Sequence, residues 1–192
     1  MEYNNLIETY IEKEIRVLKA LDTDAISRVI NVLEEARCAE ADIYVCGNGG
    51  SASTAGHLAG DFNKGVSQMT SGKKYRMHCL TDNLAAMTAI SNDFSYDDVF
   101  LKQLEGRLRK SDLLIAISGS GNSVNIIKAA EYAKSVGCKV IGMTGYDGGK
   151  LKQMADYHLD VCCNDMQISE DVHLVFDHLM MSVLIAAGES KE

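Results

Sequence analysis

Two short apolar runs each break into a glycine-rich turn: Ile43-Tyr44-Val45-Cys46 leads into Gly47-Asn48-Gly49-Gly50-Ser51, and Leu113-Leu114-Ile115-Ala116-Ile117 leads into Ser118-Gly119-Ser120-Gly121-Asn122-Ser123. A strand that stops at such a turn and restarts as a helix confines the chain to layered α/β architectures, because parallel strands need helical crossovers. The turns also carry chemistry. Glycine lets the backbone approach an anion, the following helix aims unpaired N–H groups and its positive dipole end at it, and serine hydroxyls add neutral donors. Neither turn has the G-x-x-x-x-G-K-[ST] spacing, and the second is not G-x-G-x-x-G, so the nucleotide patterns are absent. A phosphorylated small molecule is the expected ligand, held by serine rather than lysine.

Strand-like runs at 43–46, 75–80, 113–117, 139–143 and 157–162 alternate with helical stretches near 51–62, 83–91, 97–108, 123–136, 148–155 and 170–187. The alternation predicts an α/β three-layer sandwich, a five-stranded parallel sheet with helices on both faces and a ligand beyond the carboxyl ends of its strands. Ahead of the first strand, Leu6, Ile7, Tyr10, Ile11, Ile15 and Leu18, then Ile26, Val29, Ile30 and Leu33, recur at threes and fours with Asp22-Thr23-Asp24 between them. They predict two amphipathic helices, an arm over 1–40 on a core of 41–192, the whole being one domain. The arm's apolar stripe needs a partner surface, for which another subunit is the economical choice and the arm's own domain the alternative. Residues 63–74 are expected to form a mobile loop.

At 192 residues with 46% hydrophobic side chains, the chain has material for one sizeable core. The net charge of -8 argues against nucleic-acid and anionic-membrane partners, so a phosphate must be captured locally by aimed dipoles. No apolar run reaches the ~20 residues of a membrane span, and the opening residues lack a signal-peptide layout, which gives a cytoplasmic expectation. Six cysteines without a C-x-x-C pair are expected to be reduced and mostly buried.

His57 and Asp61 lie four apart on the helix that Ser51 opens, and so share a face. The last helix carries Glu170, Asp171, His173, Asp177 and His178 among apolar residues. At about 100° per residue, Glu170 falls about 80° from His178, and His173 about 140° from it, so Glu170 and His178 can converge while His173 faces elsewhere. Two imidazoles and two carboxylates from two helices suit zinc or another divalent ion; partly buried, hydrogen-bonded histidines are the competing reading. Asn92 and Asp93 either meet the hydroxyls of a polyol or cap the helical segment near Tyr96.

Together the first turn with its helix to Asp61, Asn92-Asp93-Phe94, the serine turn 118–123 and Met143-Thr144-Gly145-Tyr146-Asp147-Gly148-Gly149 resemble the sugar isomerase (SIS) domain family, a flavodoxin-like fold. Within it, the helices bearing His57 and Glu170 to His178 are similar to those of the phosphoheptose isomerases. The resemblance implies a homotetramer that interconverts sedoheptulose 7-phosphate and D-glycero-D-manno-heptose 7-phosphate through a metal-assisted cis-enediol. It implies that Ser118, Gly119, Ser120 and Ser123 hold the phosphate, and that Asn48, Gly49, Gly50, Ser51, Asn92, Asp93 and Glu170 line the sugar. It further implies one Zn2+ per subunit at His57, Asp61, Glu170 and His178, with Asp61 as base, His178 as acid and Glu170 as the alternative base. Two positions depart from the family's usual pattern: Asp61 stands where glutamate is usual and Glu170 where glutamine is. A non-catalytic phosphosugar sensor or interaction module, and an isomerase of another phosphosugar, are the alternative functions.

Overall fold

The computed structural model describes residues 2–69 and 72–189. The chain begins with α1 (Asn4–Lys19) and α2 (Thr23–Cys38), then β1 (Ile43–Cys46) and α3 (Gly50–Gly60). A π-helical turn over Asp61–Val66 and a short α4 (Ser67–Met69) extend α3 before β2 (Met77–Cys79) and α5 (Leu84–Asp93). There follow a 3-10 turn (Tyr96–Asp98), α6 (Leu101–Leu104), β3 (Leu113–Ser118), α7 (Val124–Ser135), β4 (Lys139–Thr144), α8 (Gly149–Met154), β5 (Tyr157–Asp160) and α9 (Met166–Glu189). All strand pairs are parallel, in the order β2-β1-β3-β4-β5. The three-layer α/β sandwich expected from the alternation is the fold observed.

Side-chain alternation along the buried strands divides the core in two. Ile43, Val45, Leu113, Ile115 and Ile117 face a cluster completed by α2, α3 and α9, while Tyr44, Cys46, Leu114 and Ala116 face one completed by α6, α7 and α8. At β1 and β3 the chain turns out of the sheet at its carboxyl edge, where both glycine-rich turns lie.

The two leading helices behave differently. Asp22 caps α2 by accepting from the amides of Asp24 and Ala25, and Ile26, Val29, Val32, Leu33 and Ala36 are buried in the first core cluster. So α2 is a layer of the core. None of α1 is buried; Leu6, Ile7, Ile11 and Ile15 stay exposed, Leu6 to 70%. The arm read from the sequence is thus, in packing terms, α1.

The expected loop at 63–74 is corrected as far as Met69: it is helical, and the Asn63 side chain donates to the Met77 carbonyl (2.9 Å) and accepts from the Met77 amide (2.8 Å). Those two bonds pin the segment to β2; residues 70 and 71 lie outside the described residues. The helix expected over 97–108 is cut to short turns at Tyr96–Asp98 and Leu101–Leu104, and Ser95, not Asn92 or Asp93, caps the first of them. α9 is long and apolar enough to cross a membrane by length and composition. Here Ile168, Val172, Phe176, Met180 and Leu184 pack it into the first core cluster instead.

Among the described residues no disulfide forms: Cys46, Cys138 and Cys163 are buried, Cys79 is half-buried, and Cys38 and Cys162 are exposed.

Candidate active site

Both glycine-rich turns open helices whose N-cap residues make no side-chain cap, Gly49 at α3 and Ser123 at α7; in the first turn of α7 the Ile126 amide is met by Asn125 Oδ1 at 3.0 Å. Uncapped N-termini are receptors for an anion. The Ser123 hydroxyl lies 3.1 Å from that of Ser118, which is buried at the end of β3, and Ser120 Oγ accepts from the Asn122 amide at 3.2 Å. Gly119 is buried between them; its carbonyl accepts from the Gly145 amide (2.8 Å), and that of Gly121 from the Leu151 amide (2.9 Å). Gly121 has φ +65°, and a Cβ there would fall 2.0 Å from the Gly148 carbonyl oxygen, so only glycine completes this turn.

Asn48 joins the two turns. Its amide exchanges a pair of 2.9 Å hydrogen bonds with Asn125 in the first turn of α7, and its oxygen also accepts from Tyr96 Oη at 2.9 Å. Ser51 is buried in the first turn of α3. Asn92 and Asp93 end α5 as exposed residues and hydrogen-bond each other (2.9 Å); they cap nothing.

The helical spacing brings His57 and Asp61 together and α9 adds His178. His57 Nε2 is 3.0 Å from His178 Nε2, and Asp61 Oδ2 is 3.4 Å from the former and 3.8 Å from the latter. Asp61 also opens the π-helical turn, an irregularity common at functional sites. Asp177 completes the group: ligand atoms of His57, Asp61, Asp177 and His178 all lie within 4.8 Å of one another. The Asp177 carboxylate is fully buried with no hydrogen-bond partner on either oxygen. Burial first, then the charge of Asp61, pushes its pKa up to about 7, with His57 opposing. Two facing imidazole nitrogens and an orphaned buried carboxylate are a donor set that a divalent cation would satisfy, so the residues present fit the metal that the family resemblance implies.

Glu170, expected among the ligands, stands outside that cluster. Eight residues of helix put it about 12 Å along α9 from His178. Its carboxylate instead lies over the opening of α3, where a Cβ on Gly50 would fall 2.3 Å from Glu170 Oε2. Asp177 carried no role in the sequence reading. A legible signal existed: an acid four residues after His173, beside Phe176 and short of Met180, sits on the inward stripe of an apolar helix.

His173 faces away from the cluster, as its position on the helical wheel predicts. It is fully buried, and neither ring nitrogen makes a well-formed hydrogen bond. Burial holds its pKa below the ordinary 6.5, the Thr144 backbone opposing. The unfolded chain therefore takes up a proton below pH 6.5 that the native state refuses, and stability falls on acidification through that range, by at most ~1.4 kcal/mol per pH unit. Thermal melts between pH 5 and 8 should show this slope flattened in His173→Leu; an unchanged slope would refute the assignment.

A model of the SIS domain family matches residues 9–145. The phosphoheptose isomerase of Aliarcobacter butzleri is 35% identical over 181 residues, an alignment covering 93% of this chain and 95% of that one. The chain belongs to the SIS domain family, among its phosphoheptose isomerases. Solved relatives agree. The phosphoheptose isomerase GmhA of Neisseria gonorrhoeae superposes with a TM-score of 0.86 at 29% identity, covering 95% of this chain and 98% of that chain. A phosphoheptose isomerase from Francisella tularensis gives 0.87 at 27%, covering 96% and 98%. The phosphoheptose isomerases are aldose–ketose isomerases, and this chain carries a cluster of imidazole and carboxylate groups on α3 and α9.

Proposed function

We propose that the protein isomerises sedoheptulose 7-phosphate to D-glycero-D-manno-heptose 7-phosphate through a cis-enediol. The observation that carries this reading is the His57–Asp61–His178 cluster on the two helices that flank a pair of uncapped, serine-bearing turns. Ser118, Ser120, Ser123 and the first amides of α7 hold the phosphate, and Asn48, Gly49, Gly50 and Ser51 line the sugar, so binding energy remote from the reacting carbons goes into positioning. His57 and Asp61 hold the cation, with zinc the metal proposed. When bound, it polarises the carbonyl and the neighbouring hydroxyl of the sugar.

Two proton transfers remain for the chain. Glu170 is the base that removes the proton beside the carbonyl: its carboxylate lies at the opening of α3, clear of the imidazoles. Asp61, 3.4 and 3.8 Å from two imidazole nitrogens, is committed to the cation, whose charge would depress its basicity. His178, its side chain 54% exposed at the rim of the cluster, is the acid that moves a proton between the two oxygens and re-equilibrates with solvent.

The protein is proposed to work in the cytoplasm as a single-domain homotetramer, a second copy covering the apolar stripe of α1. Purified protein incubated with sedoheptulose 7-phosphate should yield the aldose; a chelator should suppress the reaction and Zn2+ restore it. Tight binding of the sugar phosphate with no aldose formed would instead make the chain a sensor.

A further inference from the structure

We infer that Asp177 is a ligand of the divalent cation in this chain, occupying the place that the family resemblance gives to Glu170; the inference rests on the cation-assisted reading above. Asp177 is fully buried on the inward stripe of α9, beside Phe176 and Met180, which are themselves buried. A carboxylate taken out of water with neither oxygen hydrogen-bonded is strongly unfavourable in the empty fold and persists where a positive partner compensates it. No Lys or Arg pairs with it among the described residues, whereas the ligand atoms of His57, Asp61 and His178 lie within 4.8 Å. A cation at their common centre is the partner this geometry accommodates.

Charge points the same way. Asp61 and Asp177 as carboxylates neutralise a doubly charged ion beside the neutral His57 imidazole, and an N/O donor set of this kind suits zinc, manganese or iron(II). Glu170 is thereby released from the metal. Its seat over Gly50, at the uncapped end of α3, faces the proposed sugar site, so the two acids of α9 divide the work between them: Asp177 binds the cation and Glu170 meets the substrate.

The test titrates metal-stripped protein with Zn2+ and with Co2+, reading affinity by calorimetry and coordination by the visible spectrum of the cobalt form. Loss of an outer partner of a ligand already weakens metal binding ~10- to 100-fold, so Asp177→Asn should weaken it by at least ~100-fold and alter the cobalt spectrum. Glu170→Gln should keep the wild-type affinity and spectrum. A third variant guards against a folding artefact. Asp177→Leu should melt at a higher temperature than wild type when both are metal-free, because an unpaired buried carboxylate is gone, and should lose the rise in Tm that zinc gives the wild type. Zinc bound by Asp177→Asn as tightly as by wild type, or lost from Glu170→Gln, would overturn the assignment. Wild-type protein that takes up one cation through Asp177 yet leaves sedoheptulose 7-phosphate untouched would refute the reaction and leave the ligand assignment standing.

Discussion

Alanine at His178 or at Asp61 should lower kcat/KM for heptose phosphate isomerisation by about 10³-fold or more while leaving the melting temperature within a few degrees of wild type. A positioned acid contributes ~10²- to 10⁴-fold, and loss of a cation ligand removes the polarisation on which both proton transfers depend. Neither side chain supports the core: His178 is more than half exposed, and Asp61 stands outside both core clusters. Alanine at His178 should spare KM for the phosphorylated substrate, since the serine turn is untouched. Steady-state kinetics beside thermal melts read both quantities. Near-normal turnover by both variants would reject the site; a collapse of Tm would show that the cluster is structural.

Gly121→Ala is expected to be the most damaging small substitution in the phosphate turn. The residue has φ +65°, and the added methyl would sit 2.0 Å from a backbone oxygen, that of Gly148, which cannot swing aside as a side chain can. Left-handed strain of about 1–2 kcal/mol and displacement of the 145–149 loop together cost at least ~3 kcal/mol, or a fall in Tm of about 6–12 °C. Gly137→Ala is the matched control: its φ is +78°, but its new methyl meets only the flexible Lys110 stem at 3.4 Å. It should lose only the strain term. Equal losses in the two variants would show that backbone conformation alone, and not the packing of the two loops, fixes the turn.

The centre of the sheet was legible because β1, β3 and β4 are buried on both faces and stop at glycine, a pattern that survives without knowledge of tertiary contacts. β1 and β3 begin where their apolar runs begin. The site was legible in part. His57 and Asp61 share a face by spacing alone, and His178 meets them. What spacing cannot convey is depth. Asp177 differs from its exposed neighbour His178 only in the side of α9 it occupies, and that side is decided by packing against α3 and the sheet. A helical wheel also projects away axial distance: it sets Glu170 near His178, although eight residues of helix part the two along α9. Residues 63–69 read as a loop because Asn63, Gly65 and Ser67 are poor helix formers, a preference overridden by the Asn63 clamp on Met77.

α1 touches the rest of the protein through more than its end. Tyr10 Oη donates to Asp171, and Lys13 Nζ pairs with Asp165 at 2.5 Å, both acids lying at the head of α9. The same α1 turns bear Leu6, Ile7 and Ile11 outward. Whatever settles on that greasy side therefore also pulls on a lever: the tyrosine and the lysine hold the opening turns of the rod on which Glu170, Asp177 and His178 are mounted. A second copy seated on α1, as proposed above, would therefore bear on the same helix that carries the proposed proton-handling groups.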